Sequence, residues 1–182
     1  MESQDEKAAH RDFDPEQAAQ ALVDLQLVLA PIGQRAFLVL GTLLGYAREG
    51  RILLHDKDID VGIIGWEGQY DVVAALLESR RFALDVRRLR GSKTYHLPVR
   101  HIASGVSIDI FVYHPENGKL VTGVESYFGY LQRFAFTPFD LKAVRFLGID
   151  FYVPSDVELN LAENFGDWRQ SDPDYISHLQ SP

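Results

Sequence analysis

The chain has 182 residues, 46% of them hydrophobic and 12% aromatic, which suits one domain with a sizeable core and excludes a disordered chain. Its formal net charge of −8 argues against broad electrostatic binding to nucleic acid or to anionic membrane surfaces. Cysteine is absent, which excludes disulfides, thiolate chemistry and Cys-type zinc sites. No run approaches the ~18 consecutive apolar residues of a membrane span. The acidic stretch Glu2 to Lys7 lacks the order of a signal peptide, so a cytoplasmic location is the default expectation.

Residues 1–13 read as a polar tail, residues 14–176 as the domain and 177–182 as a second tail. Asp14-Pro15-Glu16-Gln17 predicts a helix start, with Asp as N-cap and Pro in the first helical position. Ala18, Leu22, Leu25 and Leu29 give its apolar stripe, and Pro31 ends it. Ala36 to Leu40 reads as a short buried strand. A short helix follows from Gly41-Thr42 to Glu49, with Gly50 as its stop. Backbone N–H groups at such a helix start are electropositive and suit a phosphate.

The central strand is Asp58 to Ile64. A helix spans Tyr70 to Ser79, and a strand runs from Phe82 to Leu89 with Arg87, Arg88 and Arg90 at its end. Tyr95 to Ile102 and Val106 to Tyr113 read as partner strands. Asn117-Gly118 marks a tight turn. Glu125 to Phe139 is rich in aromatics, which read as core. Ala143 to Phe146 and Ile149 to Val153 form a hairpin about Leu147-Gly148. Ser155-Asp156-Val157-Glu158 is a capping box, with Ser155 as N-cap of a last helix. This order of elements is α/β or α+β.

Asp56, Asp58 and Asp60 lead into the apolar run Ile59 to Ile64. If that stretch is extended, alternation points all three carboxylates the same way. Asp109 stands isolated in a second apolar strand. Asp is depleted in strands and costly to bury unpaired, so two such strands imply one shared site. Clustered like charges are best tolerated around a cation, and Asp oxygens suit a hard ion such as Mg²⁺ or Mn²⁺ that also takes substrate phosphates.

Gly41-Thr42-Leu43-Leu44-Gly45, Arg48, the Asp56 to Asp60 run and Ile108-Asp109-Ile110-Phe111 together resemble the LicD family. Val153-Pro154 followed by Phe165-Gly166-Asp167-Trp168 adds to the likeness, which covers roughly residues 20 to 175. His55 stands where the family has an aromatic, and Lys57 interrupts the acids. By alternation Lys57 should point away from the metal face. The resemblance implies an α+β nucleotidyltransferase-like fold, a mixed sheet flanked by helices in one domain. It also implies transfer of a phosphorylated alcohol, such as phosphocholine or ribitol phosphate, from a CDP-linked donor to a sugar or glycan hydroxyl.

On this reading Asp58 and Asp60 hold the metal. Asp109 completes the site, as a ligand or as the base for the acceptor hydroxyl. Asp56 is either a third ligand or pairs with Lys57, Arg51 or Arg48. Gly41 and Thr42 cradle a donor phosphate, Arg48 faces the pyrophosphate, and Asp167 is either a substrate contact or a helix-end contact. Lys93, Tyr95, His96 and His101 precede the Asp109 strand, but a lone His is more often structural, and His55 lies beside the acids. Trp66 and Trp168 either pack or stack on a base or sugar, packing being the commoner role. Two other readings stand beside this one: nucleotidyl transfer from an NTP, and a non-catalytic domain that binds a nucleotide or partner. A lipid-linked acceptor would bring the chain transiently to a membrane surface.

Overall fold

The computed structural model describes residues 14–53, 56–65, 69–85, 95–125 and 130–170. Both tails, His55, Trp66, Arg87, Arg88, Arg90, Lys93, Tyr127 and Phe128 lie outside the described residues. Helix α1 spans Pro15–Leu29 and starts as its sequence predicts: Asp14 accepts from the Glu16 N–H at 2.9 Å. Strand β1 (Phe37–Leu38) is shorter than expected and leads directly into α2 (Leu40–Glu49). Gly50 stops that helix in the left-handed conformation, φ 68°.

Strand β2 is Ile59–Ile64, α3 is Gln69–Glu78 and β3 is Phe82–Leu84. Strands β4 (His96–His101) and β5 (Ser107–Glu116) are partners, as read from sequence, and the structure pairs them antiparallel. Asn117 and Gly118, at φ 50° and 74°, make the turn into β6 (Lys119–Glu125). Strand β7 (Leu131–Phe136) pairs with β6. Neither β6 nor β7 was expected from the sequence. The predicted hairpin is present as β8 (Leu141–Phe146) and β9 (Ile149–Pro154). The final helix, α4, is Val157–Phe165. Its N-cap is Asp156, which accepts from Leu159 N–H at 3.0 Å, so the cap lies one residue beyond Ser155.

Among the described residues the main sheet has seven strands with the central order β1-β2-β5-β4-β3, and β6 and β7 extend it from the far end of β5. Strands β2 and β5 run parallel, while their other neighbours are antiparallel. The sheet is therefore mixed, flanked by helices, in a single α+β domain. Alternation divides its side chains. Ile59, Val61, Ile63, Leu97, Val99, Ile108, Ile110 and Val112 join Leu22, Leu25, Leu29 and Leu76 in the main core. Burying each fully contributes roughly 1.5–3 kcal/mol. The opposite face carries Asp60, Gly62, Asp109, Phe111, Tyr113 and His96. Its inner part is a second, aromatic core of Phe37, Phe111, Tyr113 and Phe136. No helix among the described residues is long and apolar enough to cross a membrane.

His101 shows what alternation does to the two histidines of β4. Five residues from His96, it points to the helical side and is buried. Its Nε2 lies 3.0 Å from Asp24 Oδ2 on α1, and its Nδ1 lies 2.7 Å from Ser104 Oγ. Arg81 also pairs with Asp24. Burial raises the Asp24 carboxyl, but hydrogen bonds from His101 and Gln20 and the Arg81 charge outweigh it and hold the group below its usual range. The stability this carboxylate contributes is thus present above its unfolded pKa and lost as pH falls through its lower folded value. Asp24→Asn should cost about 1–3 kcal/mol at neutral pH by weakening these partners. In urea melts the gap from wild type should narrow toward pH 3. An unchanged gap would contradict the assignment.

Candidate active site

Four aspartates gather where β1 hands over to α2. Val39 is extended, and Leu40, the first residue of α2, is left-handed at φ 45°. For a residue with a Cβ this conformation costs about 1–2 kcal/mol. It brings the helix start against β2. Gly41 N–H donates to Asp60 Oδ2 at 3.1 Å, and Asp60 N–H donates to Oγ1 of the buried Thr42 at 2.8 Å. The sequence reading gave Gly41 and Thr42 to a donor phosphate; in this structure both hold Asp60.

Asp109 is the direct cross-strand partner of Asp60 on parallel β5, so the two carboxylates stand side by side. Asp56 reaches them differently. Because β2 begins at Ile59, Asp56 and Asp58 precede the strand, and the three acids do not form one extended row. The Asp56 N–H donates to Leu53 O at 3.1 Å, a turn that folds its side chain toward α2. A Cβ at Gly41 would lie 3.1 Å from Asp60 Oδ2 and 3.3 Å from Asp56 Oδ2. The missing side chain of Gly41 is what leaves room for both carboxylates. Lys57 between the acids is exposed.

Burial, then the charges of Asp58, Asp109 and Asp56, push the Asp60 carboxyl well above the usual carboxylate range, against the pull of the Gly41 hydrogen bond. Burial, and after it the charge of Asp60, push the hydroxyl of the fully buried Tyr113 upward. Perturbed groups of this kind concentrate at functional sites.

No three acidic or histidine side chains among the described residues enclose an ion by themselves. The residues present still fit a hard divalent cation: adjoining carboxylate oxygens, excess negative charge, and a carboxyl whose ionisation the site resists. Mg²⁺ commonly takes one or two carboxylates and fills its remaining positions with water and substrate phosphate oxygens.

The other predicted residues are placed less directly. Arg48 follows Gly41 by seven residues, which returns it to within about 20° of the same helix face, about 10 Å along the axis. Long side chains on a helix generally lean toward its N-terminal end, which here is the end where the acids lie. Asp167 is exposed in the turn after α4, where its carbonyl accepts from Gln170 N–H, and it is not among the charges acting on Asp60. His96, passed over as structural, lies in the site. Its Nε2 is 3.2 Å from Asp109 Oδ2, and its ring stacks on Phe111 at 5.1 Å. The signal that finds it is the strand register, with His96 opposite Phe111 and Pro98 opposite Asp109.

The model of the LicD/FKTN/FKRP nucleotidyltransferase domain matches residues 33–156, from the end of α1 to the cap of α4. The chain belongs to the LicD family. The matched segment holds Gly41, the acidic cluster and Asp109, and it leaves Asp167 outside. Mouse fukutin, a ribitol-5-phosphate transferase, is 26% identical over 157 residues, covering 80% of this chain and 33% of that protein. The human protein of that name is 24% identical over the same span and coverage. The LicD chain described here thus spans about a third of the length of the curated relatives it matches.

Among solved structures, the lincosamide antibiotic adenylyltransferase LnuA with lincomycin bound aligns at a TM-score of 0.48 and 12% identity, covering 80% of this chain and 83% of that one. The solution structure of the antibiotic-resistance factor ANT(2'')-Ia aligns at 0.45 and 13%, covering 65% and 62%. The matched model describes a domain of the nucleotidyltransferase type.

Proposed function

We propose that this LicD domain moves a phosphorylated alcohol from a CDP-linked donor to a sugar or glycan hydroxyl, with Mg²⁺ or Mn²⁺ at the carboxylates. The observation that carries the reading is the side-by-side placement of Asp60 and Asp109 against Gly41, inside the segment that matches the family. The curated relatives named as ribitol-5-phosphate transferases supply the substrate class.

Asp58, Asp60 and Asp109 would hold the ion, whose chemistry is to neutralise charge on the donor phosphates. Asp56 borders the slot at Gly41. Gly41 and Thr42 fix the Asp60 carboxylate and backbone, so the site is set before substrate arrives. Arg48 adds a fixed positive charge on the same face of α2, suited to pyrophosphate oxygens. The acceptor oxygen attacks the phosphorus that bears the alcohol, the bond from that phosphorus to the CMP oxygen breaks, and CMP leaves. The hydroxyl proton passes to a carboxylate oxygen of the cluster. Phosphoryl transfer needs mainly positioning and charge neutralisation, which this arrangement supplies.

The test is thermal stabilisation by a panel of CDP-alcohols, CTP and ATP with and without Mg²⁺, on wild type and on Asp58→Asn and Asp60→Asn. A ligand at a hundred times its Kd should add about 2.7 kcal/mol of stability. The reading requires a shift with a CDP-alcohol that needs both Mg²⁺ and the aspartates. A shift confined to CTP or ATP would replace it with nucleotidyl transfer. A nucleotide shift indifferent to Mg²⁺ and to both substitutions would favour a non-catalytic domain.

A further inference from the structure

We infer that His96 offers a nitrogen ligand, Nε2, to the divalent ion at the carboxylates, and so turns the site from Mg²⁺ toward a transition-metal ion such as Mn²⁺. This rests on the metal site of the reading above. The sheet order β2-β5-β4 puts Asp109 between Asp60, its direct partner on β2, and strand β4. Directly opposite Asp109 on β4 is Pro98, whose side chain has no polar atom. His96 comes two residues earlier on the same face. A diagonal neighbour of this kind is within reach of a ring. Its Nε2 lies 3.2 Å from Asp109 Oδ2.

The geometry of that approach is not the geometry of a hydrogen bond. Nε2 is buried and makes no hydrogen bond among the described residues, Asp109 included. A ring nitrogen this close to a carboxylate oxygen misses a hydrogen bond only when its axis passes beside the oxygen instead of toward it. Two ligand atoms of one ion are related in this way. Each lies about 2.1 Å from the metal, so neighbours at a right angle stand about 3 Å apart, and each is aimed at the ion and not at the other.

The ring is also held in place. Phe111, its direct cross-strand partner, stacks on it with centroids 5.1 Å apart and 27° between planes. Leu97, 1% exposed, roots the strand in the main core. Leaving a buried polar atom unpaired costs about 1–3 kcal/mol. A phenylalanine would stack here without that cost, and an ion among the carboxylates would give the nitrogen its partner. Oxygen ligands alone suit Mg²⁺, whereas an imidazole among them suits first-row transition ions.

The experiment is electron spin echo spectroscopy of Mn²⁺ bound to the full chain, with Mn²⁺ and Mg²⁺ affinities measured by calorimetry. Wild type should show modulation from a directly bound nitrogen, and labelling its histidines with ¹⁵N should change that signal. His96→Phe keeps the stack and removes the nitrogen. It should abolish the modulation and weaken Mn²⁺ binding at least about tenfold, with a smaller change for Mg²⁺. His96→Gln, which has no imidazole, gives the same reading if the Phe variant does not fold. His55→Ala, at the histidine next to the acids in sequence, should keep the modulation. Bound Mn²⁺ with no nitrogen signal, or a signal that survives loss of the His96 imidazole, would overturn the ligand role and leave the carboxylate site standing. Wild type that binds neither Mn²⁺ nor Mg²⁺ would overturn the metal-site reading and this inference together.

Discussion

Asp60→Asn is expected to raise the melting temperature of the metal-free protein while lowering transfer at least about 10²-fold. The two effects have one cause. Burial and three neighbouring carboxylates push the Asp60 carboxyl well above its ordinary 3.8. In the unfolded chain the group ionises near that ordinary value; in the folded chain it keeps its proton to higher pH. The folded state therefore binds more protons across the interval, and stability falls as pH rises from about 4 through the raised folded value. Each unit of that rise corresponds to about 1.4 kcal/mol. Asn has no charge to lose, so the variant escapes the decline. Its side-chain oxygen still accepts the Gly41 N–H, and the backbone donor to Thr42 is untouched, so the fold keeps both contacts. For a chain of this size each kcal/mol gained adds roughly 2–4 °C. Calorimetry of metal-free samples at pH 5 and pH 8 should show the variant ahead, more so at pH 8. A variant that melts below wild type, or that retains transfer, would remove Asp60 from the role given to it.

Asp24 and Asp60 bracket what the sequence made legible. Both are acids set among apolar residues, and their carboxyls shift in opposite directions. Asp60 could be picked out because, like Asp109 on β5, it lies in an apolar strand where Asp needs a reason. Asp24 lies on a helix whose stripe looks ordinary, and nothing local announces Arg81 and His101 as its partners. Signals confined to a few neighbouring residues carried well: Asp14-Pro15, Gly50, Asn117-Gly118 and Leu147-Gly148 each mark the boundary they predict. Features that depend on register did not carry. Strand β7 exposes most of its residues and shows no regular alternation to read. The single-residue shift from Ser155 to Asp156 is decided by backbone geometry, since either side chain can cap. The row of three acids was inferred from an extended chain that begins only at Ile59. His96 and His101 look alike in sequence. The antiparallel register of β4 on β5, together with alternation, sends one to the carboxylates and the other to α1.

The two glycines of the Gly41 to Gly45 block should respond in opposite ways to alanine. A Cβ at Gly45 would lie 2.5 Å from the Arg51 carbonyl oxygen and 3.1 Å from the Leu53 nitrogen. These are backbone atoms of the segment that turns back on α2 after Gly50, and they cannot swing aside. Ile52 and Leu53 are buried, at 7% and 4% exposure, so the segment cannot lift away without opening the core. Gly45→Ala should therefore cost about 1–3 kcal/mol, the usual range for overpacking. Because Leu53 O receives the Asp56 N–H, the displacement also reaches the acidic cluster. At Gly41 the neighbours of an added Cβ are carboxylate ends, at 3.1 and 3.3 Å, which can rotate. Gly41→Ala should keep a melting temperature within a few degrees of wild type yet lose the Mg²⁺-dependent shift with the donor, since it fills the slot beside Asp60 and Asp56. Paired melts with and without Mg²⁺ and ligand separate the two. If Gly45→Ala melts like wild type, the close approach of residues 51–53 is wrong. If Gly41→Ala keeps the full ligand shift, the slot is not where the donor phosphates meet the carboxylates.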